Sequence, residues 1–257
     1  MELTSPTEFA KERVLAVQEY SQLSLRSIAN VFRPPHYFSD TLLQADIIGV
    51  GSLPIVILTG FFTGAVLALQ TSDTLQRFGS LSLIGQFVSL SMVRELGPVL
   101  TGLMVAGRNA SGMASELGSM MVTEQIDAMR ALGTDPTKKL VTPRVISSVV
   151  MLFFLSIISD LLGIFGGFIV AYGLLGLDAN QYWNSAYQNL AYEDVQMGLI
   201  KPLLFGFVIA TVGCYYGLSA RGGTQGVGRA TTQAVVAASV LILVVDFFVT
   251  RLLMVMA

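Results

Sequence analysis

The chain has 257 residues, 53% of them hydrophobic and only 12% charged, with a formal net charge of −2. A soluble domain carries about twice that charged fraction, and the apolar residues lie in long runs bounded by charge rather than dispersed. One cysteine (Cys214) and one histidine (His36) exclude an internal disulfide, a cysteine-based metal site and most histidine chemistry.

Met1–Thr7 is polar, and charges of both signs follow through Arg13, without the apolar core of a cleavable signal. The membrane segments are therefore expected to direct insertion themselves. The stretch from Glu8 to Phe32 mixes Phe9, Val14, Leu15 and Ile28 with Lys11, Arg13 and Arg26, and Arg33-Pro34-Pro35 stops it. It is too polar to span, which predicts an amphipathic helix lying in the membrane interface; a short soluble helix is the alternative. Residues 1–45 form this helix and its linker, and 46–257 the membrane domain.

A bilayer core of about 30 Å needs about 20 helical residues. Ile47–Ser72 is uncharged and reads as the first span. The second falls within Phe78–Gly107, where Arg94 and Glu95 are the only charges. A charge at bilayer depth normally faces protein or water and marks function. Adjacent helical residues diverge by about 100°, so partners elsewhere in the chain are expected for both. Pro98 cannot donate to the carbonyl of Arg94, which leaves a polar, bent locus beside the two charges.

Ser115–Pro136 is polar and yet not loop-like. Ile126, Met129 and Leu132 recur at helical spacing, Glu124, Asp127 and Arg130 occupy other faces, Gly133 offers a cap and Pro136 a stop. The spacing predicts a short amphipathic helix outside the membrane, either packed on its surface or docking a partner.

Val145–Leu177 is the third span, interrupted by Asp160, which shares a face with Gly163 and Gly167 and so is expected to face another helix. Pro202–Ala220 is the fourth. Ala230–Ala257 is the fifth, with Asp246 on a polar stripe with Thr232, Ser239 and Thr250. Small residues at four-residue spacing (Gly60/Gly64, Gly163/Gly167, Gly213/Gly217) predict close helix packing. With the N-terminus inside, 11 of the 15 Lys and Arg fall on the cytoplasmic side, while the loop from Gly176 to Gly198 is acidic. The positive-inside rule then places the N-terminus in the cytoplasm and the C-terminus outside.

Two glycine patterns carry no nucleotide site. Gly223–Gly228 is followed by Arg229 and Ala230 where a phosphate loop needs Lys and Ser or Thr, and Gly49–Pro54 lacks a third glycine. Nothing in the chain calls for a metal, a catalytic triad or a nucleic-acid partner. The expected fold class is all-α: a polytopic helical membrane protein with an N-terminal interfacial helix, about five transmembrane helices and a cytoplasmic helix near 115–133.

Four stretches together resemble the MlaE (YrbE-type) permease family, the membrane subunits of MCE-associated ABC lipid transporters. They are "GFFTGAVLALQ" (Gly60–Gln70), "VRELGPVLTGLMVAGRNASGMASELGSMMVTEQIDAM" (Val93–Met129), "DPTKKLVTPR" (Asp135–Arg144) and "RATTQAVVAASVLILVVDFFVT" (Arg229–Thr250). The resemblance implies a homodimeric permease in the inner membrane of a bacterium, bound to two cytoplasmic P-loop ATPase subunits and a periplasmic MCE-domain oligomer. It implies movement of lipid, typically glycerophospholipid, between inner and outer membranes. ATP and Mg belong to the partner, and this chain binds no cofactor.

On the same reading, Arg94 and Glu95, beside Pro98, form the polar end of a lipid cavity, with Leu67 and Leu69 in its apolar wall. Glu116, Glu124, Ile126, Asp127, Met129 and Arg130 belong to the ATPase-coupling helix. Asp246 matches the Asp of the family's last span, and Asp160 matches no family residue, so its role stays open. The rival is a proton-coupled secondary carrier using Glu95, Asp160 and Asp246; a pure scaffold would leave those charges unexplained.

Overall fold

The computed structural model describes residues 6–256. The polar opening residues 1–5 and the last residue of the fifth predicted span, Ala257, lie outside them. Among the described residues the chain is all helix, and five helices are long and apolar enough to cross a membrane.

Helix α1 (Pro6–Val31) lies across one end of the bundle, against α7 and α9. Its Ser24 and Ser27 are buried, Tyr20 hydrogen-bonds Thr211, and Val14, Val17 and Leu25 stay exposed. Helix α2 (Phe38–Arg77) is the first span, with Pro54 inside it. The second is one long rod from Leu81 to Val122. It comprises α3 (Ile84–Ser91), a π turn (Met92–Leu96), α4 (Gly97–Val105), a second π turn (Ala106–Ala110) and α5 (Ser111–Val122).

A short helix α6 (Gln125–Ala131) follows, then a third π turn (Thr137–Val141) that runs into α7 (Thr142–Gly173). Helix α8 (Ala179–Gln188) lies at the end of the bundle that α9 (Tyr192–Leu218) starts from, and α10 (Gly223–Met256) closes the chain.

Glycine packing sets the helix distances. A Cβ at Gly60 would reach within 2.8 Å of Ser159, and one at Gly64 would collide with the Gly163 carbonyl, so α2 and α7 touch backbone to backbone. Gly213 and Gly217 seat α9 against Ala110 and Ala114 of the second rod in the same way. The predicted small-residue pairs are thus the close approaches. The centre is filled by Val105, Ala106, Phe205, Ile209, Ala238 and Ile242. The outer faces of α2 and α10 are apolar and exposed, with Phe62, Val66, Phe247 and Phe248 pointing away from the bundle. Such faces fit lipid rather than water.

Several predicted boundaries change, the first span becoming Phe38–Arg77, the third Thr137–Gly173 and the fifth starting at Gly223. The second span runs on to Val122, so the helix expected at 115–133 is two pieces: Ser115–Val122 completes the long rod, and only Gln125–Ala131 stands apart. Glu124 divides them with φ +58, a left-handed residue that turns the chain. The Gly133 cap forms as expected, at φ +78, with the Thr134 N–H on the Met129 carbonyl. The fourth span begins at Tyr192 rather than Pro202 and carries Lys201 and Pro202 within it. A charge in an apolar run reads as a boundary, and Lys201 is such a charge, which is why the sequence places the start at Pro202.

Candidate functional site

The first π turn brings the charges together. Its extra residue is visible in the Gly97 N–H, which bonds back to the Met92 carbonyl five residues earlier. Arg94 and Glu95 sit on this turn and go to different partners, as their divergence on a helix predicts. The Arg94 guanidinium pairs with Asp194 in the first turn of α9, whose other oxygen accepts from the Ala191 N–H at 2.9 Å. Asp194 is buried, whereas the Arg94 side chain is 43% exposed.

Glu95 pairs with Lys201 at 2.6 Å. The Lys201 side chain is 0% exposed. Its ammonium also hydrogen-bonds the Arg94 carbonyl at 2.8 Å and lies 3.0 Å from Asp246 on α10. That carbonyl is the one Pro98 leaves free, so a lysine of another span takes the place of the missing N–H. One helical turn beyond Asp246, the Thr250 hydroxyl donates to Glu95 at 3.4 Å. Three spans are therefore joined through one cluster of five charged groups.

Two open grooves flank the turn. One, about 480 Å³, is lined by Glu95, Asp246, Thr250 and Arg251 with Phe247 and Met254. The other, about 530 Å³, lies between α2 and α4 and is mostly apolar, with Leu58, Phe62, Val66, Leu67, Leu96 and Leu100 beside Thr59, Thr63 and Gln70. Glu95 lines the first groove and Leu96, its neighbour on the same turn, lines the second, so the one turn borders both. Leu67 lines the apolar groove, Leu69 is exposed on α2 outside it, and Pro98 is buried beneath.

Sequence reading singled out Arg94, Glu95 and Asp246 and missed Lys201 and Asp194. The available signal was the uninterrupted apolar character of Val195–Ala220 on both sides of one lysine. Asp160 does face another helix, as expected. It is 7% exposed and packs against Gly97, where a Cβ would collide with its Oδ1.

The residues read as partner-facing separate. Glu124, Asp127 and Arg130 are exposed, the last two paired at 2.8 Å, and Met129 is half-buried. Ile126 is fully buried within the chain, so it anchors α6 rather than offering a surface. Glu116 belongs to α5, where it pairs with the buried Arg144 at 2.7 Å.

A family model described as "Permease MlaE" matches residues 41–252. The chain is 46% identical to a "Probable ABC transporter permease protein" of Rickettsia bellii, over 92% of each chain. It is 34% identical to the "Intermembrane phospholipid transport system permease protein MlaE" of Haemophilus influenzae, over 84% of each. It is 36% identical to the chloroplastic protein TRIGALACTOSYLDIACYLGLYCEROL 1 of Arabidopsis thaliana, over 86% of this chain and 63% of that one. With that coverage, the chain belongs to the MlaE permease family of ABC transporter permeases.

Proposed function

We propose that this permease moves phospholipid between two membranes as a homodimer, driven by a separate cytoplasmic ATPase and continued by an MCE-domain partner across the periplasm. The observation that carries this reading is the turn of Glu95 and Leu96, which borders a groove lined by charged residues and a mostly apolar groove of similar volume. A phospholipid has that same division, and a site for it needs an apolar wall with a few placed polar groups. Arg94 keeps N–H groups beyond those given to Asp194 and is accessible enough to meet a phosphate. Both grooves are open along one side, which a second copy would close.

The charge distribution supports an inner-membrane protein with its N-terminus and α6 in the cytoplasm. In that orientation α6, with Met129, Leu132 and its exposed charges, is the surface on which the ATPase acts. ATP with Mg binds the partner, and closure of two ATPase subunits would press on α6 and the long rod it continues.

The first test is mass spectrometry of the tagged chain purified in mild detergent from its native membrane, reading proteins and lipids together. The expected result is a P-loop ATPase and an MCE-domain protein in stoichiometric amounts, with phospholipid enriched. Recovery of the chain without an ATPase would favour the proton-coupled carrier. In reconstituted vesicles, Arg94→Ala and Glu95→Ala should each slow phospholipid transfer; wild-type rates in normally assembled variants would remove the site assignment.

A further inference from the structure

Asp160 is, among the described residues, the buried carboxyl that the network around Lys201 does not use. Its Oδ1 is turned against Gly97 and buried without a hydrogen-bond partner, its other oxygen has none among the described residues, and the residue forms part of the wall of a cavity of about 290 Å³ between α7, the end of α8 and α9. Leu161, Ile164, Leu190 and Leu199 line the same space with Tyr187, and among the described residues no lysine, arginine or histidine does. Arg94 and Lys201 pair with Asp194 and with Glu95 and Asp246, and neither is among the residues lining this cavity. A carboxyl left without a partner in apolar surroundings is costly, whichever protonation state it holds.

We propose that this cavity binds a neutral lipid with a hydroxyl end group, which the Asp160 carboxyl recognises. A hydroxyl both donates and accepts, so it satisfies a carboxylate and a carboxylic acid alike. A phosphate would place an anion beside a carboxyl with no cation to offset it. The volume lies at the lower end of ligand sites, enough for the hydroxyl end and part of one chain.

The walls also include Val93 and Gly198, which touch each other where α9 crosses the π turn. The cavity thus reaches the turn that carries Arg94 and Glu95 through Val93, and it shares no lining residue with either groove. The site goes beyond the transport reading and stands whether or not phospholipid is the cargo.

The test uses the full permease with its partners in lipid nanodiscs and a diazirine-bearing hexadecanol as the probe. Labelled peptides are mapped by mass spectrometry after irradiation. We expect saturable labelling of the segments around Leu161–Ile164 and Leu190–Leu199, competed by unlabelled hexadecanol and not by the alkane of matching length. Asp160→Leu should cut labelling about tenfold, the loss of one buried hydrogen bond, while Asp160→Asn, which still donates and accepts, should retain most of it. Leu190→Trp should block labelling by filling the cavity with Asp160 intact.

Labelling that rises without saturation, equal competition by the alkane, no label at these segments, or full labelling in folded Asp160→Leu would each overturn the proposal. If Asp160→Leu does not fold, the alkane comparison and Leu190→Trp decide. Phospholipid transfer measured on the same samples separates this outcome from the transport reading, because loss of one does not require loss of the other.

Discussion

Lys201 holds two carboxylates and a backbone carbonyl from three directions, with no water-exposed surface of its own. Replacing it by methionine keeps the volume of the stem and leaves Glu95, Asp246 and the Arg94 carbonyl to face one another. Removing one partner of a buried ion pair costs about 3–5 kcal/mol, and the lower end applies because the Glu95 side chain is 40% exposed. Lys201→Met should therefore unfold in detergent with a loss of about 3 kcal/mol, read as a lowered thermal midpoint. An unchanged midpoint would show that the cluster is not held together by this ammonium.

The sequence makes Arg94 and Glu95 conspicuous because no other charge lies near them. It hides Lys201, whose partners are 106 and 45 positions away and whose neutralisation only the fold supplies. Asp194 is hidden for a related reason: it sits in a short acidic stretch that reads as loop until α9 starts there.

At the scale of elements, the contact between α2 and α7 depends on the absence of side chains. Gly64→Ala would set a methyl against the Gly163 carbonyl, which cannot give way as a flexible side chain can. We expect a loss of about 1–3 kcal/mol, the usual cost of overpacking. Gly107→Ala, whose methyl meets nothing within 4 Å in this chain, is the comparison and should cost less. Thermal unfolding of the two variants side by side checks this.

Glu124 presents the opposite case, a side chain where glycine would be easier. Its left-handed backbone costs an L-residue about 1–2 kcal/mol, so Glu124→Gly should leave stability unchanged or raise it by up to about 1 kcal/mol. A clear loss of stability would mean that the carboxylate contributes to the turn. The amphipathic period of α6 and its Gly133 cap were legible from spacing. The break at Glu124 was not, because helical spacing persists across it and only a backbone angle reveals the division.

Across the whole molecule, the two ends of the bundle differ. At the α8 end, Phe168, Tyr182, Trp183 and Tyr187 form a connected aromatic cluster. Rings with a polar edge favour the membrane–water boundary. Tyr182 itself is buried there, its hydroxyl on the Ile164 carbonyl at 2.8 Å, and burial raises its pKa above the usual phenol value. At the other end lie α1, α6 and the basic residues Lys138 and Lys139, which contact the Pro34 carbonyl and Asp40.

If α6 is where the ATPase presses, Met129→Asp and Leu132→Asp should lose the ATPase on co-purification while the permease still inserts with a normal thermal midpoint. Ile126→Asp should instead lower the midpoint of the permease itself, since that side chain is enclosed by its own chain. Retained ATPase in the first two variants would move the docking surface elsewhere. Span number and composition were readable from hydropathy alone. The separation of Ile126 from Met129 and Leu132 was not, because period shows which residues share a face but not which face is already taken.

The long rod from Leu81 to Val122 has a consequence in phase rather than in length. Each π turn holds one residue more than an α turn and so advances the helix beyond it by about 100° relative to an unbroken one. A uniform helix keeps one inward stripe along its whole length. This one has three settings: α3 is indexed to α8, α4 to α7 and α9, and α5 to α9 and α10. Two inserted residues thus act as two clicks of a dial, and deleting one within Met92–Leu96 would keep the rod helical while turning Arg94 and Glu95 out of register with everything downstream.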